Sequence, residues 1–240
     1  MAANTLNAKT VVIVGGTSGI GYAVAQAALE AGARVVVASS KAANVETALQ
    51  ALGGKAEGHT IDVGDEADVA GVFEKIGALD HLVYTAGDWG VRLGGTLGEL
   101  DLAAARAVFS VRFWGALSVV KHCQARIAPG GSITLTDGAL AHRPMKGAAV
   151  NTAMLGAIEH LVRGLALDLA PVRVNAVCPG LIMTDRSRKM PEDLVRRFTG
   201  ALPLPRGGEP AEVAEAYLYL MRGGYTTGQV LKVDGGGSVV

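Results

Sequence analysis

Residues 11–21 constrain the fold of this chain more than any other stretch. Four β-branched residues end at Val14 and are followed by seven residues with glycine at three spaced positions. An apolar-periodic segment over 20–31 comes next, so the pattern predicts a strand, a tight turn and a helix. Glycine has no Cβ atom, which lets a phosphate group approach the backbone at the start of the helix. The predicted phosphate-binding turn contains Gly15, Thr17, Ser18, Gly19, Ile20 and Gly21, and the alternative is a turn with incidental glycines.

Strand-like and helical patterns alternate along the rest of the chain. Strands are predicted at 10–14, 33–39, 56–62, 80–85, 132–136, 172–178 and 229–233. Helices are predicted at 20–31, 43–52, 66–76, 102–127, 148–169 and 211–221. This alternation indicates a parallel sheet with right-handed crossovers. We therefore expect one doubly wound α/β domain over residues 1–240, with about seven strands and helices on both faces.

Composition excludes several other classes of protein. The 240 residues include 50% hydrophobic and 18% charged residues, as in a globular domain. The 22 basic and 22 acidic residues cancel, so we expect neither a nucleic-acid partner nor a membrane partner. No apolar run is long enough for a membrane span, and the amino terminus lacks the core of a secretion signal. The expected location is cytoplasmic.

The glycine spacing carries a specific resemblance. Gly15, Gly19 and Gly21 follow the pattern G-x-x-x-G-x-G, which resembles the cofactor motif of the short-chain dehydrogenase/reductase family. Segments 84–87, 175–184 and 226–236 are similar to that family's later signatures. The resemblance covers about residues 9–237. It implies a Rossmann-like single domain and an oxidoreductase that uses a nicotinamide cofactor.

The end of the second predicted strand bears on the choice of nucleotide. In dinucleotide-binding folds a carboxylate at this place often holds the ribose 2′-hydroxyl of NAD. This chain has Ser39, Ser40 and Lys41 instead, whose hydroxyls and ammonium can donate hydrogen bonds to a 2′-phosphate. The sequence thus favours NADP(H) over NAD(H). The alternative is that Lys41 only opens an exposed helix as a solvated charge.

Further cofactor contacts follow from the resemblance alone. Asp62 matches a residue that contacts the adenine, and Val63 matches one that packs on it, although Asp62 also suits a helix cap. Ala86 and Gly87 match the small surface on which the cofactor lies. The segment that holds the nicotinamide carboxamide in the family is matched here by Pro179, Gly180, Ile182 and Thr184.

The resemblance ends at the catalytic residues. The family donates a proton from a tyrosine, lowers the pKa of that tyrosine with a lysine four residues later, and adds a serine and an asparagine. Counting along the matching helix places Asn151 at the tyrosine position and Leu155 at the lysine position. The serine position falls on Gly138 or Asp137, and the asparagine position on Arg112. All four residues are replaced, so we predict a non-standard active site.

Arg112, Asp137 and Asn151 are the candidate catalytic residues. Arg112 lies in an apolar run, and a buried guanidinium needs a partner, for which Asp137 is the best candidate. One interpretation is a structural ion pair between the two. The other is a rebuilt site in which Arg112 stabilises an oxyanion and Asp137 or His142 handles a proton. We expect no metal site.

Three functions remain open on the sequence. The first is an NADP(H)-dependent oxidoreductase acting on a small molecule that needs no protein acid, such as an iminium or a quinone-like acceptor. The second is a catalytically inactive sensor or partner protein that holds NADP(H). The third is a lyase or dehalogenase-like activity that uses Arg112. One fold hosts many functions, so the resemblance does not choose among them.

The two long predicted helices also bear on assembly. Residues 102–127 and 148–169 carry more apolar surface than one sheet face covers, and members of the family bury these helices between subunits. We therefore predict a homodimer or homotetramer. The basic, irregular segment at about 181–210 is predicted to be a lid over the substrate.

Overall fold

A single sheet of seven strands organises the chain. The structure is a computed structural model and describes residues 5–87 and 96–240. In this part of the chain all strands run parallel in the order β3-β2-β1-β4-β5-β6-β7. The strands are β1 Thr10–Val14, β2 Arg34–Ser39, β3 Ala56–Thr60, β4 Leu79–Tyr84, β5 Ile127–Thr136, β6 Arg173–Pro179 and β7 Val230–Val233. The predicted domain also covers residues 1–4 and 88–95, which lie outside the described residues.

Helices connect the strands and cover both faces of the sheet. They are α1 Gly19–Glu30, α2 Ala42–Ala51, α3 Glu66–Ile76, α4 Leu102–Phe109, α5 Ala116–Cys123, α6 Ala149–Asp168, α7 Glu192–Thr199 and α8 Pro210–Arg222. Local sequence explains several of the helix starts. The side chain of Asp65 accepts hydrogen bonds from the first backbone amides of α3, and Pro210 begins α8 inside a capping box of two glutamates.

Alternating residues of each central strand supply two separate cores. Val12 and Val14 belong to one apolar cluster and Val11 and Ile13 to the other, so β1 is buried on both faces. The first cluster receives side chains from α3, α5 and α6, and the second receives side chains from α1 and α8. The resulting three layers confirm the predicted Rossmann-like doubly wound fold.

The strand order reverses between β1 and β4. From β1 the chain proceeds to β2 and β3 on one side, and from β4 to β5, β6 and β7 on the other. The crossovers leave these two strands in opposite directions, which opens a crevice beyond their carboxyl ends. This crevice is where a ligand site is expected in such a sheet.

Three predicted elements differ from the observed ones by more than one or two terminal residues. The long helix is helical from Leu102 to Arg126 but contains a π-helical turn, Ser110–Gly115, that includes Arg112. β5 begins at Ile127, because that residue already pairs with Leu79 before the register shifts. The segment predicted to be irregular contains α7, whose first turn carries two acidic residues and whose last turn carries two basic ones.

One segment of the described chain has the length and composition of a membrane span. It is Leu102–Arg126, with 25 residues and a mean hydropathy of 1.3. Charged residues interrupt its apolar runs, so the expectation that no run is long enough for a membrane span did not take this segment into account. Val119, Val120 and Cys123 of this segment pack into the core against the sheet. A core helix meets the same criterion, so the finding rests on length and composition alone.

Candidate active site

A cavity of about 870 Å³ opens at the reversal of the strand order. Its walls come from the residues that follow β1, β2, β4, β5 and β6, together with the start of α1 and one face of α6. A volume of this size suits a dinucleotide-sized ligand. We call this space the switch-point cavity.

The glycine turn after β1 forms the floor of the switch-point cavity. Gly15 and Gly19 have φ angles of +91° and +54°, which favour glycine. A Cβ atom at Gly21 would lie 2.3 Å from the carbonyl oxygen of Gly15, so the turn and the helix meet too closely for any side chain. The side chain of Ser18 makes no capping bond, and the first turn of α1 has no acidic residue. These features leave the helix amides available to an anion.

Sixteen of the seventeen predicted cofactor residues line the switch-point cavity. The exception is Lys41, which lies at the start of α2 with an exposed side chain and is not among the described residues that line the cavity. Asn44, one turn into α2, lines the cavity next to Ser39 and Ser40 and was missed. The lining residues that were predicted are Gly15, Thr17, Ser18, Gly19, Ile20, Gly21, Ser39, Ser40, Asp62, Val63, Ala86, Gly87, Pro179, Gly180, Ile182 and Thr184.

The residues predicted to occupy the family's tyrosine and lysine positions also reach the switch-point cavity. Asn151 and Leu155 lie on α6, are buried, and line the cavity one helical turn apart. No tyrosine is among the described residues that line it. Tyr84 donates its hydroxyl hydrogen to the carbonyl of Val111 and is 2% exposed. Its role in the described structure is therefore packing.

Arg112 lines the switch-point cavity from the π-helical turn. A Cβ atom at Gly87 would lie 2.6 Å from Cγ of Arg112 and 2.7 Å from its Nε, so the arginine lies directly on that glycine. The ion pairs of the described residues do not include one between Arg112 and Asp137. The predicted structural ion pair is therefore not formed, because Asp137 faces a different set of groups.

Asp137 follows β5 and belongs to a buried polar cluster. Its backbone amide donates to the carbonyl of Val177, which holds it at the carboxyl edge of the sheet. The donor atoms of Asp137, His142 and Cys178 all lie within 4.8 Å of one another. Glu159 lies on the buried side of α6 and contacts Nε2 of His142 through its Oε1 atom. We call these four residues the Asp137 cluster.

The surroundings of Asp137 keep a proton on its carboxyl group. Its side chain is 2% exposed, and neither carboxyl oxygen has a hydrogen-bond partner of ordinary geometry. Burial first, and then the neighbouring Glu159 carboxyl, raise the pKa of Asp137 from 3.8 to about 8. Burial also raises the pKa of the Cys178 thiol, and Asp137 adds to that shift. At neutral pH Asp137 is therefore a neutral acid that lines the switch-point cavity.

A second cavity of about 700 Å³ adjoins the first. It lies between the loop after β5 and the segment that contains α7, and Gly138, Leu155 and Gly180 line both spaces. Its inner wall is mostly apolar, with Leu140, Met145, Met190, Leu194, Phe198 and Leu202. We call it the apolar cavity. The predicted lid at 181–210 was the one sequence feature that pointed to this cavity.

Comparison with known proteins agrees with this geometry. A family model described as Enoyl-(Acyl carrier protein) reductase matches residues 14–238. The chain is 37% identical to the short-chain dehydrogenase/reductase ATR9 of Stachybotrys chlorohalonatus, covering 97% of this chain and 98% of that protein. The chain belongs to the short-chain dehydrogenase/reductase family. Membership confirms the resemblance on which the cofactor residues were predicted.

Two solved structures of the short-chain dehydrogenase/reductase family are particularly informative. A small-chain dehydrogenase in complex with NADPH is 33% identical, with a TM-score of 0.82 over 98% of this chain and 100% of that one. The MalC Reductase/Diels-Alderase of Malbranchea aurantiaca is 32% identical, with a TM-score of 0.90 over 98% of both chains. The fold of this chain is thus shared with family members whose chemistry differs.

The raised pKa of Asp137 predicts a distinctive dependence of stability on pH. Between pH 4 and 8 the folded state holds a proton that the unfolded chain has released, so this group's contribution to stability falls as pH rises. We expect Asp137→Asn to remove that slope, which amounts to at most about 1.4 kcal/mol per pH unit. Urea unfolding of both proteins across this range measures it. Asp193→Asn, which removes an exposed carboxyl on α7, is the control, and parallel curves for wild type and Asp137→Asn would contradict the assignment.

Proposed function

We propose that this protein is an NADP(H)-dependent reductase in which Asp137 replaces the family's tyrosine as proton donor. The observation that supports the proposal is a buried carboxyl with a raised pKa that lines the switch-point cavity, where no described lining residue is a tyrosine. The cavity's glycine floor and its helix amides fit the diphosphate of a dinucleotide. When bound there, the cofactor supplies a hydride to the substrate.

The preference for NADP(H) is supported by the far end of the switch-point cavity. Ser39, Ser40 and Asn44 line this end, and the loop after β2 has no carboxylate to hold a 2′-hydroxyl. Hydroxyl and amide groups donate hydrogen bonds to a phosphate. The similar dehydrogenase solved with NADPH supports the same preference.

We predict tighter binding of NADPH than of NADH. Ser40→Asp places a carboxylate near the 2′-phosphate, so NADPH affinity should fall by about tenfold or more while NADH affinity is kept. Fluorescence titration of both nucleotides gives the dissociation constants. Ser40→Asn has the same shape without the charge and is the matched control. An equal loss of affinity for NADPH and NADH in Ser40→Asp would count against a preference for NADP(H). Tighter binding of NADH than of NADPH by the wild type would do the same.

The chemistry of Asp137 favours a carbon–nitrogen double bond as the group reduced. An imine nitrogen is a much stronger base than a ketone oxygen, so a weak acid protonates it before the hydride arrives. The iminium that results is a cation, and the Asp137 carboxylate left behind stabilises it. Asn151 adds hydrogen-bonding groups at the family's tyrosine position but has no acidic proton to give. The active site thus differs from the standard one in its acid as well as in its lost lysine.

The apolar cavity supports a hydrophobic substrate. Gly138 and Leu155 stand between this cavity and the switch-point cavity, and Asp137 precedes Gly138 in the chain. A substrate whose carbon frame fills the apolar cavity can present its double bond beside Asp137. The relative named a Reductase/Diels-Alderase supports reduction on this scaffold. The predicted lid, at 181–210, supplies one wall of the apolar cavity through α7.

Turnover tests this proposal directly. We expect NADPH-dependent reduction of apolar cyclic imines, little reduction of the corresponding ketones, and a rate that falls above about pH 8 as Asp137 ionises. Asp137→Asn should lower kcat for imines by about 10²- to 10⁴-fold with NADPH affinity unchanged. Steady-state kinetics against pH measure both effects. If NADPH binds but imines, ketones and quinones all fail to oxidise it, the result would instead favour a catalytically inactive sensor or partner protein.

We also propose that the protein assembles with itself through its long helices. Leu102, Val111 and Trp114 on the helical segment after residue 101, and Leu167 on α6, are large apolar side chains exposed in the chain alone. Trp114 is 61% exposed and Leu167 is 82% exposed. Contact with a second copy would remove this surface from water.

A charge on these helices is expected to weaken the assembly. Trp114→Glu combined with Leu167→Glu should shift the sedimentation coefficient from a dimer or tetramer to a monomer, because two carboxylates would be buried at the contact. Tyr219→Glu also removes an exposed aromatic side chain, but from α8, which packs on the opposite face of the sheet from α6, and should leave the assembly intact. A monomeric wild type would reject the proposal.

A further inference from the structure

We propose that Glu159 and His142 form the path by which solvent protons reach Asp137. The proposal rests on the function proposed for Asp137, since a proton donor that is used in every cycle must be recharged. Neither Glu159 nor His142 contacts the switch-point cavity in the described structure. Both are therefore proton-path residues that act through Asp137, and nothing in the family's usual tetrad corresponds to them.

The geometry provides a continuous path. Asp137 is buried at the end of β5, and the Glu159 carboxyl lies close enough to influence it directly. The Oε1 atom of Glu159 contacts Nε2 of His142, and both of these atoms are inaccessible to water. The His142 side chain as a whole is 23% exposed. One end of the imidazole therefore faces the buried carboxyls while part of the ring reaches solvent.

The lysine and asparagine positions of the family's tetrad offer no second path for the proton. The residues predicted for those positions are Leu155 and Arg112. Leu155 has no group that carries a proton. A Cβ atom at Gly138 would lie 3.2 Å from Cδ1 of Leu155, so this leucine covers the cavity side of the chain next to Asp137. On the cavity side, the side chain next to Asp137 therefore cannot carry a proton, and a bound substrate would occupy the remaining space.

Charged and titratable groups surround the path on each packed element. Glu159 shares α6 with Arg163, whose guanidinium lies 3.7 Å from its Oε2 atom. Cys178 of β6 and Tyr217 of α8 are buried and keep their protons, because burial raises both pKa values. The groups that face the path are Asp137, His142, Glu159, Arg163, Cys178, Tyr217 and, beyond Cys178, Asp234. Among them, His142 has a side chain that reaches solvent while its Nε2 atom contacts a buried carboxyl.

The steps balance in one proton per turnover. Asp137 gives its proton to the substrate nitrogen and becomes a carboxylate beside the Glu159 carboxyl. Two adjacent carboxylates in a buried site repel, which drives proton uptake. The His142 imidazolium gives its Nε2 proton to Glu159, Glu159 gives one to Asp137, and water protonates His142 again. In the overall reaction, imine, NADPH and one proton from solvent are converted to amine and NADP⁺.

The recharging step can be measured without turnover. The infrared band of the protonated carboxyl is assigned to Asp137 by its loss in Asp137→Asn. Its return is followed after a rapid pH jump from above to below the pKa of Asp137. We expect the return to be about tenfold or more slower in His142→Gln, and dissolved imidazole to restore the rate. His160→Gln, which changes an exposed histidine on α6, is the matched control and should behave as the wild type.

Glu159→Gln keeps the shape of the side chain and interrupts the same path. We expect a slow return of the band and a shift of its titration to lower pH, because the neighbouring carboxyl that raises the pKa of Asp137 is gone. This titration shift is a signature that loss of packing alone would not produce. Return of the band at the wild-type rate in both His142→Gln and Glu159→Gln would overturn the path, as would a return that depends on added zinc and not on imidazole.

A pair of substrates separates this inference from the proposed function. An imine needs a proton from Asp137, whereas the matching N-alkylated iminium is already a cation and needs only hydride. His142→Gln should therefore slow reduction of the imine and leave reduction of the iminium unchanged. Equal slowing of both would overturn the path. Failure of the wild type to reduce either compound would reject the proposed function, while the pH-jump measurement still decides the path.

Discussion

The reversal of strand order between β1 and β4 is the constraint on which the site depends. Because no crossover helix covers the carboxyl ends of these strands, only backbone can fill the base of the crevice. Gly15 and Gly21 do so at a separation that excludes any Cβ atom. The same edge of the sheet holds Asp137 after β5 and Cys178 in β6, which register places side by side. The topology thereby brings the glycine floor of the switch-point cavity and the buried Asp137 carboxyl to one edge of the sheet.

The sheet and its glycine turn could be predicted from sequence because both depend on local patterns. Buried parallel strands are continuous apolar runs in the sequence. The spacing of Gly15, Gly19 and Gly21 can likewise be read from the sequence without any knowledge of tertiary contacts. The partner of Asp137 could not be predicted in this way. Arg112 was the predicted partner because a guanidinium in an apolar run needs a counter-ion. In the structure the Arg112 side chain lies on Gly87 instead. A signal for Glu159 did exist, since it falls on the buried stripe of α6 with Leu155, Ile158 and Val162.

A buried carboxyl is costly for a folded protein, and the Asp137 cluster contains two, Asp137 and Glu159. The cost is lower when one of them is neutral, because two adjacent carboxylates cannot both ionise in a site closed to water. The cluster therefore retains a proton as the least unfavourable of its states. The pKa of about 8 for Asp137 is a consequence of that balance. Burial of Asp137 therefore lowers the free energy of unfolding at the position where the proposed chemistry needs an acid.

In the proposed function, Leu155 at the predicted lysine position and the presence of Glu159 are then two parts of one change. A general acid works best with a pKa near the operating pH. A phenol starts above this range and needs a neighbouring cation to lower its pKa, whereas a carboxyl starts below it and needs burial or a second carboxyl. An ammonium at position 155, next to Gly138, would lower the pKa of Asp137 and remove its proton at neutral pH. A leucine at this position adds no positive charge and excludes water. The pKa of a tyrosine would then stay too high for proton donation, whereas the pKa of Asp137 stays high enough for it to keep its proton.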